Sequence, residues 1–223
     1  MEMRRGGGCL MRNYVTGTNR IEFKKFLKKE IKPTARALVV GPGSIKEDPS
    51  TLVIRRIVKG NMIILDAENP PFGYGGAQHF QSAWKEIMKK KLPEITHGSA
   101  HKMPFKEGTF NVVYDHSALP YIFYNAYNER NIRKKPAQLN EIISEYLRVL
   151  KPGGKVILAT GIYDKKDLFY GSDLVRYILK NQKNAAKLKI RFVPVDEQKY
   201  KIKNKEIIPA YPSGMVIIIE KGT

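Results

Sequence analysis

The chain has 223 residues, 42% of them apolar, which suits one α/β domain around a single core. Forty lysines and arginines face 21 acids, and the formal net charge of +19 points to an anionic partner: nucleic acid, an acidic lipid surface or an acidic protein. The single cysteine, Cys9, excludes a disulfide framework and a Cys-rich zinc site. No uncharged apolar run reaches the roughly 18 residues of a membrane-spanning helix, and no apolar stretch follows Arg4 and Arg5 as a signal peptide requires. A cytoplasmic protein is expected.

In chain order, Ile21 to Ile31 has near-helical apolar spacing with lysines on the other face, and Pro33 stops it. Ala37 to Val40 reads as a buried strand, closed by the turn Gly41-Pro42-Gly43-Ser44. Asp48 as N-cap and Pro49 at the first helical position predict a helix to about Lys59. Asn61 to Leu65 is a second strand ending at Asp66, and a Gly/Pro loop leads to a helix over 77–91. Glu94 to His97 and Thr109 to Tyr114 are the third and fourth strands. Gln138 to Leu150 is a long amphipathic helix, and Lys151-Pro152-Gly153-Gly154 turns the chain into a fifth strand, Lys155 to Thr160. A helix is expected over Leu168 to Asn181. Lys189 to Val195 and Met215 to Glu220 complete a seven-stranded count, with only a loop between them, so they pair antiparallel.

Strands alternating with helices predict an α/β fold: a doubly wound, mostly parallel sheet with helices on both faces, its last strand antiparallel. The chain divides into a basic helical extension at 1–34, a cofactor-binding core at 35–160, and a substrate-side part with the sheet edge at 161–223.

Ligands of open α/β sheets bind beyond the carboxyl ends of the strands. Those ends carry Gly41-Pro42-Gly43, Asp66 with Ala67, Gly98-Ser99-Ala100, and Asp115-His116. A glycine turn admits close ligand approach. An acid ending the second strand, 25 residues after Gly41, can accept both hydrogen bonds of a ribose diol. Lys46 stands where a dinucleotide fingerprint wants its third glycine, and Pro49 delays the helix that would face a pyrophosphate. S-adenosylmethionine, with no phosphate, tolerates both.

Two stretches carry a family likeness. Gly98 to Leu119 (GSAHKMPFKEGTFNVVYDHSAL) and Glu145 to Leu158 (EYLRVLKPGGKVIL) resemble blocks of the class I S-adenosylmethionine-dependent methyltransferases, nearest the group with the quinone-biosynthesis C-methyltransferases. The likeness spans Ala35 to Thr160. It implies that Gly41, Pro42 and Gly43 flank the methionine part of the cofactor, that Asp66, beside Ala67, binds the ribose, and that Ser99 and Ala100 lie at the adenine. It also implies that Asp115 and His116 face the methionine moiety and the transferred methyl. Ser99 stands where the family usually has an acid, and the acid common just before the glycine loop is absent.

Asn69-Pro70-Pro71-Phe72 matches the motif of amino-methylating nucleic-acid enzymes, but that motif follows the fourth strand and here follows the second, so it reads as a rigid loop. His116 is the candidate general base, should the acceptor need one. His79, His97 and His101 lack metal-ligand spacing, and no metal is expected. Beyond the fourth strand, Tyr121 to Lys135 mixes aromatics with Arg130, Arg133, Lys134 and Lys135, a pattern that stacks bases and contacts phosphates. The basic tail from Arg176 to Lys205 repeats it, and the basic helix at Ile21 to Ile31 suits an anionic membrane or a lid. Three readings stay open: a methyltransferase acting on an anionic acceptor such as RNA, a small-molecule methyltransferase, and a non-catalytic nucleic-acid-binding protein on the same scaffold.

Overall fold

The computed structural model describes residues 21–41, 50–66, 94–116, 136–160, 180, 187–196 and 214–222. The helices expected over 77–91 and 168–181 fall outside these residues, apart from residue 180. The described helices are α1 (Ile21–Glu30), α2 (Ser50–Ile57) and α3 (Pro136–Val149). The strands are β1 (Ala37–Val40), β2 (Met62–Asp66), β3 (Glu94–His97), β4 (Phe110–His116), β5 (Leu150–Thr160), β6 (Leu188–Asp196) and β7 (Gly214–Lys221).

The strands form one seven-stranded sheet in the order β3-β2-β1-β4-β5-β7-β6. The first five run parallel, and β7 is antiparallel to both β5 and β6. This is the doubly wound, mostly parallel sheet with an antiparallel final strand that the alternation predicts. The order reverses between β1 and β4, which opens a crevice at their carboxyl ends.

Strand alternation sorts the core into two layers. Leu38, Val40, Leu65 and Val113 project to one face and pack against Leu139, Ile142, Ile143 and Tyr146 of α3. Val39, Ile64, Tyr114 and Ile157 project to the other and meet Leu27 and Ile31 of the α1 segment and Ile54 of α2. Because both faces are covered, β1 is buried at every position, and it reads as an unbroken apolar run.

The Lys-Pro-Gly-Gly stretch does more than turn the chain. β5 begins at Leu150, opposite Phe110, and its next partner pair is Val112 with Lys155. Residues 151–154 therefore form a bulge inside the β4–β5 ladder. Gly153 takes φ +70°, and a Cβ on Gly154 would lie 2.9 Å from the Lys151 carbonyl and 3.1 Å from that of Asn111. Only a Gly-Gly pair passes there without strain. At the end of α3, the Lys221 ammonium donates to the Leu147 and Leu150 carbonyls at 2.9 Å each, a C-cap supplied by β7.

Glu30 fastens α1 to the far half of the sheet. Its carboxylate, 8% exposed, accepts hydrogen bonds from Lys155 at 2.8 Å and Arg191 at 3.0 Å, and Arg191 also reaches Glu220 at 2.8 Å. Burial pushes the Glu30 pKa up, but the hydrogen bonds and charges of Lys155 and Arg191 outweigh it, and the net shift is downward. A carboxylate with a lowered folded-state pKa adds stability above its unfolded value of 4.5, lost as pH falls through the folded value. Glu30→Gln should therefore lower unfolding free energy by about 1 kcal/mol at neutral pH, the partners being partly exposed. Urea unfolding at stepped pH should show the gap closing as the solution is acidified below 4.5.

Candidate active site

The parallel register gathers the expected site residues at one edge. Val40, the last residue of β1, is paired with Leu65 on one side and Asp115 on the other. Asp66 is paired with His97, and His116 with Ala159. Gly41, Asp66, Ser99, Ala100, Asp115 and His116 thus follow or end adjacent strands around the crevice. Pro42, Gly43 and Ala67 lie outside the described residues, as do Arg130, Arg133, Lys134 and Lys135 and the Asn69–Phe72 loop.

Gly41 leaves β1 with φ +56°, while its N–H still donates to the Leu65 carbonyl at 3.1 Å. The chain thereby turns off the sheet in a left-handed conformation that glycine adopts freely. Beyond β3, Ser99 and Lys102 close a tight turn, the Lys102 N–H bonding the Ser99 carbonyl at 3.2 Å. Ser99 is exposed, and its Oγ accepts the His101 N–H at 3.2 Å. A hydroxyl has two lone pairs and one proton, so Ser99 keeps an acceptor site and a donor beyond this bond.

Two arrangements hold this edge from behind, and both come from α3. Glu145 and Arg148 sit one turn apart and form a two-pronged pair, with Arg148 Nε to Glu145 Oε1 at 2.6 Å and Nη2 to Oε2 at 2.7 Å. The pair grips the backbone that follows the Ser99 turn. Glu145 Oε2 accepts the Met103 N–H at 2.7 Å, and Arg148 donates to the Phe105 carbonyl at 2.7 Å and the Met103 carbonyl at 3.0 Å. The Arg148 hydrogen bond holds the Glu145 pKa below its usual value against the opposing effect of burial, so the carboxylate stays charged near neutrality.

Between these two residues in the chain, Tyr146 faces β4, and its hydroxyl donates to Asp115 Oδ2 at 2.7 Å. Tyr146 is 1% exposed and Asp115 is fully buried. Burial, then the neighbouring Asp115 charge and the hydrogen bond to it, push the Tyr146 phenol well above its ordinary pKa, so it remains a donor at any physiological pH. On the opposite face of the sheet, Tyr114 donates to Ser50 Oγ at 2.9 Å and ties the start of α2 to β4.

Sequence reasoning singled out Asp115 and Ser99 but missed Tyr146, which holds Asp115, and Glu145 with Arg148, which grip the backbone after Ser99. The signal was present as polar residues within an otherwise apolar helix face. Spacing along α3 alone does not say what they reach.

The family model for a methyltransferase domain matches residues 77–158, from before β3 through β4 and α3 into β5. No curated protein matches the chain. Among solved structures, the N-methyltransferase NodS from Bradyrhizobium japonicum is similar at 11% identity with a TM-score of 0.55, over 97% of this chain and 99% of that one. An O-methyltransferase from Thermotoga maritima is similar at 13% identity and TM-score 0.55, over 96% of this chain and 71% of that one. A SAM-dependent methyltransferase from Methanosarcina mazei is similar at 15% identity and TM-score 0.52, over 88% and 97%. At these identities the likeness is one of fold, and within it residues 77–158 match the methyltransferase domain.

Proposed function

We propose that S-adenosylmethionine binds across the carboxyl ends of β1 to β4 and that its methyl group passes to an anionic acceptor, RNA foremost. One observation carries the cofactor site: the register brings Gly41, Asp66, the Ser99 turn and Asp115 to one edge, at the strand-order reversal. The donor set fits the group. Asp66 ends β2, where a carboxylate accepts from a ribose diol. Ser99 and Ala100 border the adenine, with Ser99 keeping hydrogen-bonding capacity for it. The family likeness assigns Gly41, Pro42 and Gly43 to the methionine portion and Ala67 to the ribose side.

Bound there, S-adenosylmethionine supplies a methyl on a sulfonium centre, open to in-line attack. The chain's contribution is then positioning and exclusion of water more than covalent chemistry. Asp115, fully buried and anchored by Tyr146, holds the end of β4 fixed beneath the crevice. His116, the last residue of β4, is the residue we assign as general base for an acceptor that must lose a proton.

The positive charge supports an RNA acceptor. The net charge of +19 has no role in binding a cofactor that carries its own sulfonium. Arg130, Arg133, Lys134 and Lys135, in the segment that follows β4, are the residues assigned to phosphates on the acceptor side, with the basic C-terminal tail. The similar structures include an N- and an O-methyltransferase, and fold does not select the acceptor atom.

Calorimetric titration of S-adenosylhomocysteine tests the cofactor site. Saturable one-site binding is expected. Asp66→Ala, which removes a charged acceptor worth about 1.5–3 kcal/mol, should weaken it roughly 10- to 150-fold. Equal affinity in the variant would remove Asp66 from the site, and no binding to the wild-type chain at millimolar ligand would defeat the cofactor assignment. Transfer of labelled methyl to RNA, set beside transfer to small amines and phenols, then decides the acceptor.

A further inference from the structure

The lysines of α1 are not scattered. Lys25, Lys28 and Lys29 fall at i, i+3 and i+4, which places them in one stripe about 6 Å long, and Lys32 follows just past the end of the helix. All four are exposed. α1 packs against α2, and α2 and the turn after it add exposed Arg56 and Lys59. Among the described side chains of these two helices the one acid is Glu30, and it is turned inward, consumed by Lys155 and Arg191. Among the described side chains, the outer surface of the α1–α2 layer therefore carries positive charge with no acid beside it.

We infer that this α1–α2 face is a docking surface for the phosphodiester backbone of RNA, an inference that rests on the reading of RNA as acceptor and adds a second contact region to it. Two alternatives fit the structure less well. A membrane-resting helix needs a free apolar side to enter the lipid, and among the described residues of the α1 segment the apolar side chains are taken up by the core: Leu27 and Ile31 are fully buried and Phe26 packs against them. A protein interface selects aromatic residues and arginine over lysine, and this stripe is lysine. Ammonium groups on flexible stems contact phosphates as point charges, without reading sequence. The surface thus supplies affinity and orientation, and base selection falls to the active-site edge.

The test is fluorescence anisotropy of a labelled RNA hairpin against the full chain over a series of KCl concentrations. The variant is Lys25→Gln/Lys28→Gln/Lys29→Gln, with the corresponding triple arginine variant as a charge-preserving control. The glutamine variant should bind about tenfold more weakly or worse, and its log–log salt slope should be shallower by about two, the counterions no longer released at three phosphate contacts. The arginine variant should match wild type, and both should keep the thermal midpoint and S-adenosylhomocysteine affinity of the parent. An unchanged RNA affinity and slope in the glutamine variant would overturn the proposal. So would binding to phosphatidylserine vesicles without binding to the hairpin. Failure of the acceptor reading shows separately, as RNA that binds through this stripe but receives no methyl group.

Discussion

Arg148→Ala is expected to lower the unfolding free energy by about 3 kcal/mol, one of the two largest effects in this chain. Three losses add up. The guanidinium leaves the Phe105 and Met103 carbonyls without their donor, and Glu145, 17% exposed, loses its counter-charge while still bound to the Met103 N–H. The figure sits at the lower end for a broken buried pair because the Arg148 side chain is 35% exposed and water recovers part of the loss. Arg148→Lys should restore less than half. A single ammonium cannot span both Glu145 oxygens and two carbonyls at once. Urea unfolding measures the series, and a loss under about 0.5 kcal/mol for the alanine variant would mean the grip is ornamental. Because the gripped backbone follows Ser99 directly, cofactor affinity should fall alongside stability.

Tyr146→Phe should cost about 3 kcal/mol by a different route. The ring still fills its place under the sheet, so no cavity opens. What is lost is one donor to Asp115 Oδ2 at a fully buried position, and a buried carboxylate short of a hydrogen bond is penalised more than a neutral group. Asp115→Asn in the same background should recover part of the loss by removing the charge, and a double-mutant cycle would then show coupling between the two residues. If the cycle shows none, the hydrogen bond does not anchor Asp115. Labelled-methyl transfer separates positioning from packing: under the proposed mechanism the phenylalanine variant should lose turnover at temperatures where it is fully folded.

Much of the architecture was legible in the residues. Ala37-Leu-Val-Val, Asn61 to Leu65 and Glu94 to His97 are short apolar or β-branched runs bounded by turn residues, and each lies on an observed strand to within a residue. The α3 periodicity placed that helix, which begins two residues earlier than expected, at Pro136, a residue well suited to a first turn. Fourth-strand length was underestimated because Asp115 and His116 are polar; pairing with Leu158 and Ala159 extends it through both. The Lys-Pro-Gly-Gly stretch read as a turn, and it is a bulge within β5, since Phe110 pairs with Leu150 across it.

The sequence by itself determined the strand and helix order, the doubly wound class and the set of residues that end the parallel strands. Those follow from periodicity and turn chemistry, which act over a few neighbours. Tertiary structure alone decided what stands behind the site. Tyr146 meets Asp115 from 31 residues away, Glu145 meets Met103 from 42, and Arg191 meets Glu30 from 161. Such pairings depend on how α3 is rotated against the sheet and how each strand is registered on the next. The register and rotation are fixed by packing of the whole core, which no local stretch of sequence contains.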